Sequence, residues 1–269
     1  LQIAAPSALA LLPQSFTTLS AQTVLQNPLL ALPLVKLELT SAKGLTSFPA
    51  TLRSLSTRDL HLELLHALPA GLTSLVVKQS ASTEAFELLP RGLLNFACSS
   101  ATGLSLKKSS LASMPRSLTH LELSFFQFDN PAWFQGAPEE LKVLRLHAAL
   151  DISPAMISPL RDSALEFLSL DLDASSYHAQ LDAFLPVLPQ RLISLGLTFT
   201  HAGIQSGLPN SDLIHLPRSL VYLQLPESPA VTSACKSLLP PYLLRVSAFP
   251  DLDLPRHAPH SNWPEETEV

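Results

Sequence analysis

"MPRSLTHLEL", Met114 to Leu123, sets an apolar residue and a proline before two loosely chosen residues and then spells L-x-x-L-x-L with Leu118, Leu121 and Leu123. "LPQRLISLGL" at Leu188 to Leu197 and "LPRSLVYLQL" at Leu216 to Leu225 carry the same spelling. A pattern this long does not recur by chance, so the chain is built from repeats. Aligned on the proline place, eleven copies emerge, with that place at Pro13, Ala31, Pro49, Pro69, Pro90, Pro115, Pro138, Asp162, Pro189, Pro217 and Pro240. The intervals between them run from 18 to 28 residues and average about 23. Place five is leucine in every copy except the first, which has Phe16. Place eight is leucine apart from Phe96 and Val246, and place ten is looser, admitting Ala21, Thr57, Cys98 and Ala248.

Places eight and ten alternate with polar residues, the period of a short strand with one buried face. Every copy runs in the same direction and returns by a loop, so neighbouring strands pair in parallel, and each copy buries its leucines only by stacking on the next. The predicted fold is a repeat solenoid: a horseshoe with a parallel β-sheet on its concave face and a convex side that is mostly irregular or short-helical. It spans residues 1–249, and 250–269 reads as a proline-rich acidic tail, either a cap fragment or disordered. Proline suits the approach to each strand, where no ladder bond is yet required. The longest intervals leave room for a convex helix, expected near Ser175 to Leu185, whereas the shortest are too brief for a well-formed one.

The spacing and wording resemble the leucine-rich-repeat superfamily in its proline-marked versions. These include the FNIP-type repeats built on LPxSLxxLxL and, more distantly, the repeats of bacterial effector ubiquitin ligases. "MPRSLTHLEL" and "LPRSLVYLQL" come nearest to the FNIP wording, although the Phe-Asn-x-Pro that names those repeats is absent and "FDNP" at Phe128 to Pro131 is its nearest echo. The resemblance implies a surface that binds other proteins. Many leucine-rich repeats place an asparagine three residues after place ten, where its side chain bonds adjacent turns. This chain has Ala42, Leu60, Ser80, Ala101, Phe126 and Ala149 at successive copies instead, so that turn has to be closed by backbone bonds or water.

The chain has 269 residues, 46% of them hydrophobic and 14% charged, ample material for a core. A net charge of -5 supplies no field that would recruit nucleic acid or an anionic membrane, so neither is expected as a partner. Cys98 and Cys235 are too few for a disulfide framework, which favours a cytoplasmic or otherwise intracellular, reducing setting. No charge occurs before Lys36, but polar residues interrupt that stretch and it is not read as a targeting segment. Leu9 and Leu11 close the first copy poorly, and self-association through this uncapped N-terminal end is expected.

No GxSxG, HExxH, P-loop or GxGxxG occurs, so no enzyme activity and no cofactor are expected. Cys98 at place ten reads as a small buried hydrophobe. His120 and His147 both fall on the exposed strand face, but at places seven and eleven of adjacent copies they lie about 13 Å apart along the strands, too far to share a metal. The concave face consists of places seven, nine and eleven. Arg58 and Lys78 share place eleven in adjacent copies, a basic step that can accept a carboxylate or phosphate. Glu122 lies beside Arg145 at place nine and His147 beside Asp171 at place eleven, with Phe167 adding an aromatic ring at place seven. Tyr222 continues the aromatic character toward the C-terminal end. Arg and aromatic residues are favoured at interface hot spots, which makes this face the candidate binding surface. The leading expectation is a non-enzymatic protein-binding scaffold. The alternative is the substrate-recruiting part of a larger signalling or ubiquitin-pathway protein.

Overall fold

A computed structural model describes residues 2–3, 17–21, 32–42, 45–60, 62–80, 84–100, 111–128, 132–147, 152–172, 183–199, 210–225 and 237–246. The tail at 250–269, Cys235, Leu9, Leu11 and most of the helix expected near Ser175 to Leu185 lie outside them. The alternation at places eight and ten produces the strands β1 (Gln2–Ile3), β2 (Thr18–Ala21), β3 (Lys36–Leu39), β4 (Ser54–Leu60), β5 (Ser74–Ser80) and β6 (Asn95–Ser100). They continue as β7 (His120–Ser124), β8 (Val143–His147), β9 (Phe167–Leu172), β10 (Ser194–Phe199), β11 (Tyr222–Gln224) and β12 (Arg245–Val246). All lie in one sheet in chain order, each paired in parallel with the next. This is a leucine-rich-repeat solenoid. The sheet has one strand more than the eleven copies, because Gln2 and Ile3 pair with Ser20 and Ala21.

Register follows the repeat. Leu37, Leu55, Leu75, Phe96, Leu121 and Leu144 stand opposite one another across successive strands. All are buried, as are the place-five leucines from Leu34 to Leu243. Thr57 and Cys98 occupy the looser place ten and are buried too, the Thr57 hydroxyl satisfied by the Asp59 carbonyl. Where an asparagine ladder would run, Ala42 and Phe126 are buried in the core, and the Phe126 ring packs on Phe86 at 5.9 Å.

Proline opens a turn rather than an extended approach. In each described copy that carries it, its carbonyl accepts a hydrogen bond from the place-five N–H, as in Pro115 to Leu118 at 3.1 Å and Pro49 to Leu52 at 3.0 Å. This is a four-residue turn with proline first. In the Asp162 copy that bond is replaced: the Leu165 N–H donates to the Ser163 hydroxyl. A second regularity holds the copies together. The place-six carbonyl accepts from the N–H groups of both places six and seven in the next copy, as Leu94 does from Thr119 and His120, and Thr119 from Lys142 and Val143. Serine at place four adds to it. The Ser117 hydroxyl lies 2.7 Å from the carbonyls of both Arg91 and Leu93, and Ser219 meets Gln190 and Leu192 in the same manner. Backbone bonds and these hydroxyls together join each copy to the one before it at the entrance to the strand.

The convex side is short-helical, as expected. Single helical turns occur even where the interval is short, at Leu62–Leu65 and Glu84–Leu88, and again at Leu111–Ser113, Pro154–Ile157, Ser158–Leu160, Leu185–Val187 and Asn210–His215. The cost of helix nucleation governs isolated helices. Here one turn is held by burying Leu64 and Leu65, or Phe86, or Met156 and Ile157 against the strand leucines.

Candidate functional site

Places seven, nine and eleven face away from the leucine core because side chains alternate along a strand. The burial pattern of β3, exposed at Lys36, buried at Leu37, partly exposed at Glu38 and buried at Leu39, shows this. On this face the structure brings the two anticipated pairs together. Glu122 and Arg145 are register partners, with Arg145 Nη1 3.7 Å from Glu122 Oε2. His147 Nδ1 lies 3.5 Å from Asp171 Oδ2 on the next strand. The other Asp171 oxygen, Oδ1, accepts a hydrogen bond from the Thr198 hydroxyl, the register partner of Asp171 on β10. Asp171 is therefore held from both sides. Thr198 escaped the sequence reading, although its position at place eleven one copy beyond Asp171 was a usable signal.

Phe167 is partly exposed beside Val143 and Ser194. Tyr222 stands opposite Ser194 on the far side, two strand spacings or about 10 Å from Phe167. Arg58 and Lys78 are exposed on β4 and β5, four and three strands from Arg145 and outside the charged cluster. At the strand entrance Lys142 Nζ lies 3.5 Å from Glu166 Oε1. The exposed pairs are each worth a few tenths of a kcal/mol to about 1 kcal/mol.

The two histidines respond oppositely to this field. The hydrogen bond with Asp171 raises the His147 pKa above 6.5, reinforced by the Asp171 and Glu122 charges and opposed by partial burial and Arg145. Burial lowers that of His120, helped by the Arg145 and Lys142 charges. Their strand positions are four register steps apart, since His120 pairs with Val143 and His147 with Ser124. Among the described residues no group of three or more His, Cys, Asp or Glu is placed to hold a metal ion.

Ser124, His147 and Asp171 sit side by side at place eleven on β7, β8 and β9. These are the residue types of a nucleophilic triad. The geometry is not that of one. No hydrogen bond joins Ser124 to the His147 ring, and Ser124 is only 8% exposed. A serine without a base in hydrogen-bond reach is not activated.

The other feature missed by sequence is Phe125. It is 55% exposed with φ 62°, left-handed backbone that an aromatic residue seldom adopts. Its N–H donates to the His147 carbonyl at 2.8 Å, and the turn lets Phe126 and Phe128 enter the core. An exposed ring thus stands at the end of β7 beside the His147 strand. No helix among the described residues is long and apolar enough to cross a membrane.

No protein-family model matches the chain, and no curated protein matches it. Among solved structures, the chain is similar to CroV588, described as a novel circular leucine-rich-repeat protein, at 18% identity and a TM-score of 0.44. The match covers 88% of this chain and 40% of that one, so the chain spans well under half the length of that protein.

Proposed function

We propose that the chain is a non-enzymatic scaffold that binds a protein segment on its concave face, centred on Glu122, Arg145, His147, Phe167 and Asp171. The observation that supports this is the convergence on three neighbouring, hydrogen-bonded strands of two opposite-charge pairs and a ring, all at least partly exposed. Groups held this way are pre-organised, so little ordering cost accompanies binding. Phe125 adds an apolar contact at the edge of the same area. The wording of the repeats places them nearest the FNIP type, and cysteine usage favours an intracellular setting. The use of this face as the recruiting surface of a larger protein requires the same contacts.

A random linear-peptide display selection on the immobilised chain tests the reading. Selected peptides should lose at least tenfold in affinity with Arg145→Ala or Phe167→Ala, as hot-spot residues do. The proposal is wrong if both variants bind them unchanged while the convex substitutions Glu87→Lys or Ile214→Lys weaken them.

A further inference from the structure

We infer that Arg58 and Lys78 form a docking step for an acidic, extended segment of the protein partner, which deepens the concave-face reading and rests on it. The register Thr57 to Val77 and Asp59 to Gln79 sets Arg58 and Lys78 opposite each other on β4 and β5. Their backbones are therefore about 4.8 Å apart, with both side chains on the exposed face. Like charges in this relation destabilise a sheet. Elsewhere on the described face the cross-strand charged neighbours are opposite in sign: Glu122 with Arg145 and His147 with Asp171. Lys36 has Glu38 at 2.8 Å. Among the described residues no ion pair satisfies either Arg58 or Lys78.

The surroundings give the step a shape. Ser56, Val76 and Ala97 at place nine, with Ser74 at place seven, are short side chains on the same strands and their neighbour. Two long cations thus rise at one end of a low floor, leaving room for an extended chain to lie across the strands. Arg58 can take a carboxylate through two parallel N–H donors, and Lys78 adds a point charge to the same group. A nucleic acid is the weaker fit. Among the described residues no aromatic side chain shares this floor to stack a base, and the chain as a whole is negative.

The probe is a hexaglutamate peptide, with hexalysine and inorganic phosphate as comparisons, titrated into the whole chain at low ionic strength. Hexaglutamate should bind at least tenfold more tightly than either comparison, and R58Q/K78Q should weaken it at least tenfold. K78E should abolish the binding without lowering the melting temperature, because it turns a like-charge step into an opposite-charge pair; this separates lost binding from lost fold. Arg161→Gln, at an exposed cation outside places seven, nine and eleven, should leave hexaglutamate binding unchanged. The inference fails if hexaglutamate does not bind, if it binds R58Q/K78Q as well as the parent, or if phosphate competes equally at matched charge. Displayed peptides that still depend on Arg145 and Phe167 would then show that the concave-face reading survives without an acidic step.

Discussion

Replacing Ser117 with alanine tests whether the serine of the recurring Pro-Arg-Ser-Leu wording joins one repeat to the preceding one. Its hydroxyl lies 2.7 Å from the Arg91 carbonyl and 2.7 Å from the Leu93 carbonyl, 26 and 24 residues back in the chain. One hydroxyl has one proton, so it donates to one carbonyl at a time, worth about 0.5 to 1.5 kcal/mol net. The Leu93 bond is partly buried, and losing its donor adds part of the desolvation cost of that carbonyl. Together these predict a loss of about 1 to 2 kcal/mol. Ser219 makes the equivalent contacts with Gln190 and Leu192, four repeats along and about 19 Å away by strand spacing. At that distance the two changes should add, giving roughly 2 to 4 kcal/mol for the double variant. Thr51 occupies the same place in another repeat and donates to the Leu34 carbonyl at 2.8 Å, so Ser117→Thr should retain most of the stability. Urea denaturation followed by circular dichroism reads all four variants against the parent. Ser117→Ala within about 0.3 kcal/mol of the parent, or Ser117→Thr no better than Ser117→Ala, would refute the role assigned to this hydroxyl.

Leu121 is 1% exposed between Phe96 and Leu144, and Leu121→Ala should cost about 2 to 5 kcal/mol in the same titration; under about 1 kcal/mol would contradict its core position. A proton NMR titration should find His147 titrating above 6.5 and His120 below it, and Asp171→Asn should bring His147 down, since burial and Arg145 still act on it. In sign, the raised His147 value contributes stability that is present below pH 6.5 and lost as pH rises through the folded pKa. The lowered His120 value acts the other way, removing stability as pH falls from 6.5 through its folded pKa, because the unfolded chain then binds the proton first.

The strand register was legible in the sequence because it is a local, repeated signal. A leucine at place five and an apolar residue at places eight and ten define a buried face of period two, and stacking alone can bury it. The same alternation located Glu122, Arg145, His147 and Asp171 on the open face and paired them correctly. Tertiary structure decided what depends on contacts a whole repeat away. The serine in the repeated wording is a link to carbonyls 24 and 26 residues earlier, which no local pattern encodes. Proline heads a turn because the Leu118 N–H reaches its carbonyl. Single convex turns form in short intervals because buried residues such as Phe86 hold them against the strands. Phe125 is exposed on left-handed backbone because its N–H is taken by the His147 carbonyl while Phe126 and Phe128 fill the core. A period is written in the order of residues, whereas a hydrogen bond between repeats depends on how the chain returns, and only the folded array sets that distance.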